Sequence, residues 1–180
     1  MRRERIISVS PRGLTWLGIL EGGFHLTAYH GKHDPPHVWT ISAGITFYSP
    51  GVRVKKGDKL ASMEAAEMLF RERLKEYEAT VDAYTRDDIT ATEFDSAVSL
   101  CFNIGAANFG TSTFVRRFND RSVSKQSAAE AMCWFNKATN PVTGKSEVNN
   151  GLVERRKCEA YLFLYGLYRV QGQSRPEPPG

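Results

Sequence analysis

Cysteine is scarce and long apolar runs are missing. The three cysteines, Cys101, Cys133 and Cys158, are an odd number without CxxC spacing, each among apolar or helical neighbours. That argues against a disulfide framework and for reduced, buried thiols. No apolar stretch reaches the roughly 20 residues that span a bilayer. The opening MRRERIISVSPRG is basic but lacks the apolar core of a secretory leader. The expectation is a protein made in a cytoplasm, with no stable membrane association. Neither sign of charge dominates: 24 basic and 20 acidic residues are mostly interspersed, for a net +4. With no Lys/Arg cluster and no RRM, zinc-finger or basic-zipper pattern, nucleic acid is not an expected partner. A mildly positive surface still favours polyanions such as an anionic wall polymer. Walker and Rossmann spacings are missing, since GAANFG follows a helix, and there is no GxSxG. Phosphoryl transfer, dinucleotide binding and serine-nucleophile chemistry therefore have no support.

What is there suits one domain with a real core: 180 residues, 41% hydrophobic and 24% charged. Residues 1–170 are expected to form the domain and 171–180, QGQSRPEPPG, a flexible tail. Ser10 and Pro11 open an apolar helix that stops at Gly22-Gly23, which puts Glu21 on its last turn. From Val38 to Val54, β-branched and aromatic residues punctuated by Ala-Gly and Ser-Pro-Gly predict a hairpin or a three-stranded sheet. Ser62 then caps a long helix with apolar positions 63, 66, 70, 74, 77, 81 and 84. Thr92 and Asp95 resemble a capping box for the next helix, which carries Phe94, Val98 and Cys101 or Phe102 on one face and ends at Gly105. Two short helices follow, then a last one with Leu152, Cys158, Tyr161 and Leu162 as candidate core contacts. A small β element followed by helices is α+β.

All four histidines fall within residues 25–37. His30, His33, His37 and Asp34 offer metal-ligand chemistry, but Pro35 and Pro36 forbid a helix that would bring His33 and His37 together. A solvated loop is the better reading, and no metal is expected. Among carboxylates, Glu21 stands out. Desolvation and the negative end of a helix both favour the protonated acid, the condition for a general acid. Asp34, in a loop before proline, is exposed enough to stay ionised. Such a pair is the arrangement that hydrolyses glycosidic bonds, although with 20 acidic residues a pair of this kind can always be found.

The series Glu21-Gly22, Ala28-Tyr29 and DPPHVWTISAGIT resembles the N-terminal signature of the phage-type lysozymes, glycoside hydrolase family 24, which runs E-G, A-Y, D-x-x-G-x-W-T-I-G-x-G-H-T. LCFNIGAANFGTSTFVRRFN is similar to that family's central segment, and Trp134 with GLVERRKCEAYLFLYG to its closing one. The likeness runs over about residues 10 to 167, and three motifs in order make chance a poor explanation. It implies a lysozyme-like fold: a small N-terminal β lobe and a larger helical lobe joined by a long helix, with the glycan in the cleft between them. It implies a muramidase that cuts the β-1,4 bond between N-acetylmuramic acid and N-acetylglucosamine. Glu21 would be the general acid. Asp34 would orient or activate water, with Thr40 helping to hold it. In an inverting arrangement the two carboxyl groups would stand about 6.5–9.5 Å apart. Phe102, Asn103 and Ser112 match positions that face the family's cleft and are candidate substrate contacts; packing is the competing role, above all for Phe102. No metal or organic cofactor is implied. The expected partner is the peptidoglycan strand. The protein would be a monomeric phage or prophage endolysin, held in the host cytoplasm until a holin-like pore releases it to act in the periplasm.

Departures from the family pattern are Ser42 at a usual Gly, Ile45 at a usual His, and His37 at a usual Gly. Three extra residues lie between Tyr29 and Asp34, and one more between Glu21 and Tyr29. Without the longer insertion Gly31 would take the aspartate's place, but DPPHVWTI aligns without gaps from Asp34 onward. Ser42, Ile45 and the insertion before Asp34 motivate an alternative, a lysozyme-fold module that has lost catalysis and binds peptidoglycan or a protein. Retention of Glu21, Asp34 and Thr40 together favours the enzyme.

Overall fold

Helix α1 (Pro11–Leu20) begins where Ser10 ends, because the Ser10 hydroxyl accepts the Gly13 N–H at 2.9 Å and Pro11 needs no partner for its nitrogen. The computed structural model describes residues 5–31 and 35–172. Asp34 and His33 lie outside the described residues, as does the expected tail from residue 173 on.

The chain forms two compact units, Leu14–Lys75 and Met1–Gly13 with Glu76–Gly180; the boundary passes through α1 and the long helix α2 (Met63–Tyr84). In the Leu14–Lys75 unit, α1 leads into β1 (His25–Tyr29), which pairs antiparallel with β2 (Thr40–Ser42). Two further short strands, β3 (Phe47–Ser49) and β4 (Val52–Arg53), form their own ladder. Where a hairpin or a three-stranded sheet is expected from Val38 to Val54, the strands form two separate pairs, and β2 takes its partner β1 from upstream of that stretch. Strand β1 escaped notice because only Ala28 within it is buried, so alternation is weak. Its register with β2 slips between His25 and Tyr29. Its other edge is held by Ala28 N–H to Asp58 O (2.9 Å) and Leu60 N–H to Leu26 O (2.8 Å).

The α2 stripe behaves as its spacing dictates: Ala66, Phe70, Leu74 and Val81 are buried, and Ser62 accepts the Ala65 N–H at 3.2 Å. Its ends do not, since Met63 and Tyr84 are exposed. Phe24 packs edge-on against Phe70 at 5.8 Å, and burial of a side chain such as Phe70 or Leu17 contributes about 1.5–3 kcal/mol.

The other unit is built on α3 (Ala91–Ile104), buried continuously from Glu93 to Cys101. Around it lie α4 (Ala106–Gly110), α5 (Thr113–Asn119), α6 (Lys125–Met132) and α7 (Asn150–Tyr165), with a hairpin of β5 (Lys137–Thr139) and β6 (Ser146–Val148) that the sequence did not suggest. Phe114, Phe118 and Phe163 form an aromatic cluster, with Phe163 edge-on to both partners at 5.4 Å. The α3 cap falls two residues earlier than expected. Thr90, not Thr92, accepts the Glu93 N–H, and Glu93 returns the bond to the Thr90 N–H at 2.8 Å. Of the α7 core candidates, Cys158 and Leu162 are buried while Leu152 and Tyr161 are half-buried. Cys101, Cys133 and Cys158 are free thiols, and burial pushes each up, Cys101 to about 12.

Candidate active site

Glu21 is held by the way α1 ends. Its N–H still bonds Leu17 O at 3.0 Å, Gly22 N–H turns back to Ile19 O at 3.1 Å, and Gly23 N–H reaches Gly18 O at 2.8 Å. These are the two bonds of a Schellman stop with Glu21 at the C-cap, and Gly22 supplies the left-handed residue, φ +96°, that this stop requires. The half-buried carboxylate therefore leaves the helix at a fixed point, near the end where carbonyl dipoles accumulate.

Facing it is the turn after β2. Thr40, buried, opens the strand opposite Tyr29. Ile41 and Ile45 exchange both backbone bonds, at 2.8 and 3.0 Å, around Ser42-Ala43-Gly44. Gly44 lies at φ +76°, and a Cβ built on it would stand 3.7 Å from Glu21 Oε2. The backbone of this turn thus flanks the carboxylate.

Both sequence departures in the hairpin have a local explanation. Ser42 takes φ +51°, a conformation natural to the glycine of the family pattern and worth about 1–2 kcal/mol of strain to any other residue. Its fully buried hydroxyl donates to Ala66 O at 2.7 Å. Ile45 is buried and keeps its place through its backbone.

His25 and His30 serve local packing. His30 donates from Nδ1 to Val38 O at 2.9 Å and lies 5.8 Å from the Trp39 ring, while His25 packs on Tyr29 and donates to Gly22 O at 3.1 Å. Among the described residues no group of three or more His, Cys, Asp or Glu is placed to hold a metal.

In the other unit, each expected substrate contact has a structural partner. Phe102, half-buried, meets Tyr77 edge-on at 5.0 Å. Asn103 Oδ1 accepts from Arg156 at 2.8 Å. Ser112 caps α5 by accepting the Val115 N–H at 3.1 Å. Sequence reasoning missed the charged core of α7, where Arg155 and Arg156 both engage Glu159 at 3.0 Å and Ser99 donates to Glu159 at 2.6 Å. The R-R-x-x-E spacing was its only signal, and i, i+3 and i, i+4 charge pairs usually face solvent.

The structure is similar to the endolysin from Escherichia coli O157:H7 phage FAHEc1, with a TM-score of 0.80 and 34% identity, covering 91% of this chain and 97% of that one. It is also similar to the muramidase domain of SpmX from Asticaccaulis excentricus, with a TM-score of 0.72 and 30% identity, covering 87% and 97%. These likenesses define the class as α+β with a lysozyme-like fold. In sequence the chain is 32% identical over 155 residues to the endolysin of Acyrthosiphon pisum secondary endosymbiont phage 1, covering 86% of this chain and 97% of the relative. The phage lysozyme family model matches residues 20–159, and the chain belongs to that family.

Proposed function

We propose that this peptidoglycan hydrolase of the phage lysozyme family cuts the β-1,4 bond between N-acetylmuramic acid and N-acetylglucosamine, with Glu21 as general acid. Glu21 gives its proton to the bridging oxygen as the bond to the anomeric carbon breaks. Asp34 and Thr40 hold a water on the opposite side, whose oxygen bonds the anomeric carbon while Asp34 takes its proton. The observation that carries this reading is the meeting of the α1 C-cap with the β2 turn, which sets the Glu21 carboxylate beside Gly44, itself four residues after Thr40 in the chain.

Phe102, Asn103 and Ser112 are proposed to contact the glycan in addition to their structural bonds. The proposed setting is an endolysin: a monomer within residues 1–170, held in the host cytoplasm and reaching the periplasm through a holin-like pore. Among the described residues no helix is long and apolar enough to cross a membrane. The non-catalytic alternative rested on Ser42, Ile45 and the insertion before Asp34; Ser42 and Ile45 sit in an intact hairpin with its bonds made, and the insertion lies partly outside the described residues.

Clearing of outer-membrane-permeabilised Gram-negative cells tests the proposal, with release of new N-acetylmuramic acid reducing ends as the chemical readout. Glu21→Gln should lose at least about a hundredfold in rate, the usual contribution of a general acid. Asp34→Asn should fall comparably. Full activity in Asp34→Asn would move the water-holding role to another residue of the loop. No clearing by the wild type at any pH or salt would sink the enzymatic reading.

A further inference from the structure

We propose that Ser42 is a positioning residue, whose hydroxyl ties the turn carrying Thr40 and Gly44 to α2 and so holds that turn against Glu21. Ser42 is the only non-glycine among the described residues with a positive φ. A glycine would occupy this position without strain, so the side chain is kept at an energetic cost. What the side chain provides is one bond, Oγ to Ala66 O at 2.7 Å, in a place with no exposure to water. A helix carbonyl has a second lone pair, so Ala66 can take this bond as well as its own helical one. Ala66 is itself fully buried in the first turns of α2.

Two residues on either side of Ser42 stand the groups that matter. Thr40 precedes it in β2, and Gly44 follows it beside Glu21 Oε2. Ala43 and Ile45 are buried next to it, so the turn is packed on a second side. A turn held by apolar packing alone can slide along its contacts; one directional bond to a helix removes that freedom. The inference rests on the reading of Glu21 and Thr40 as catalytic groups. It adds that the family's glycine is replaced here by a residue that trades backbone ease for an anchor.

Two variants separate strain from anchoring. Ser42→Gly removes the bond and the strain together, while Ser42→Ala removes only the bond. Ser42→Gly should melt within about 2 °C of the wild type, and Ser42→Ala a few degrees lower, about 2–4 °C for each kcal/mol lost in a chain of this size. In Ser42→Gly, kcat for glycan cleavage should fall about tenfold with KM little changed, the sign of lost geometry and not of lost binding. The amides of Ile41 and Ile45, which bond across the turn, should exchange faster with solvent in the same variant. Wild-type kcat in Ser42→Gly would overturn the proposal, and so would unchanged exchange at both isoleucines. An inactive wild type would overturn the reading of Glu21 instead, and the exchange measurement would still decide whether Ser42 anchors the turn.

Discussion

The backbone of Gly44 flanks the carboxylate of Glu21, with a built Cβ 3.7 Å from Oε2. That spacing is ordinary van der Waals contact, so Gly44→Ala would not clash with Glu21. It would cover one side of the carboxylate and place alanine at φ +76°, at a cost of about 1–2 kcal/mol. Gly51 supplies the control, since it has φ +81° and nothing within 4 Å of its built Cβ. Both alanine variants should melt lower by about 2–8 °C. Only Gly44→Ala should also lose activity when assayed well below its melting temperature, by about tenfold. Equal activity loss in the two would mean that strain in the unit, not contact with Glu21, governs the rate.

The start of α3 makes a prediction about acid. Burial raises the pKa of Glu93, but its hydrogen bond from Lys125 (2.7 Å) and the Thr90 N–H outweigh that and hold the carboxyl below its ordinary 4.5. A depressed carboxylate contributes stability that is present above the unfolded value and lost as pH falls through the folded one. Lys125→Met should therefore destabilise the protein by about 0.5–1 kcal/mol at neutral pH, discounted for the exposed ammonium. The difference from wild type should shrink as pH drops below about 4.5. Denaturant midpoints measured across that range check both parts; a difference independent of pH would reject the ionic account.

How much of this was legible in the sequence depends on how local the cause is. The α1 stop was, because Glu-Gly-Gly after an apolar helix leaves the chain few ways to end. The α2 stripe was legible in its interior and failed at Met63 and Tyr84, where a helix end outruns its partners. The α3 cap was misplaced for a reason visible only in three dimensions. Thr90-x-x-Glu93 and Thr92-x-x-Asp95 are two equivalent frames offset by two residues. Tertiary bonds decide between them: Asp95 is taken by Ser10 and Tyr168, which leaves Glu93 for the cap. In the sequence Ser42 shows only as a departure from a usual Gly, and its φ and its bond to Ala66 show what it supplies. Strand β1 and the β5–β6 hairpin stayed hidden because so few of their residues are buried.

Glu159 is fully buried between Arg155 and Arg156, and it takes the Ser99 hydroxyl as well. Removing the carboxylate would leave two buried guanidinium groups without it, a change that typically costs about 3–5 kcal/mol. Glu159→Ala should then melt about 6–20 °C lower or fail to accumulate as folded protein. Asn103→Ala is the milder probe, since Arg156 loses one acceptor at the protein surface, at about 1–2 kcal/mol. If Asn103 also meets the glycan, KM for cleavage should rise in that variant beyond what its melting temperature explains. Unchanged KM would confine Asn103 to holding Arg156.

Asp95 joins the N-cap of α1 to the segment after α7: it accepts from Ser10 N–H at 2.9 Å, Ser10 Oγ–H at 2.6 Å and Tyr168 O–H at 2.6 Å. Burial first, and then the bond to Asp95, push the Tyr168 phenol up to about 12 from its ordinary 10.0. For a group whose pKa is raised on folding, the stabilisation is complete below the unfolded value and is lost as pH rises through the folded one. Spectroscopic titration of the native protein should therefore show one tyrosine ionising near 12, and that component should vanish in Tyr168→Phe. At neutral pH the variant should lose about 1–2 kcal/mol, less than the full cost of an unsatisfied buried carboxylate because Ser10 still supplies two donors. Asp95→Asn in the same series should bring the Tyr168 phenol back toward 10, because the charge that opposes its ionisation is gone. A phenol that stays near 12 in Asp95→Asn would assign the shift to burial alone and leave Asp95 no part in it.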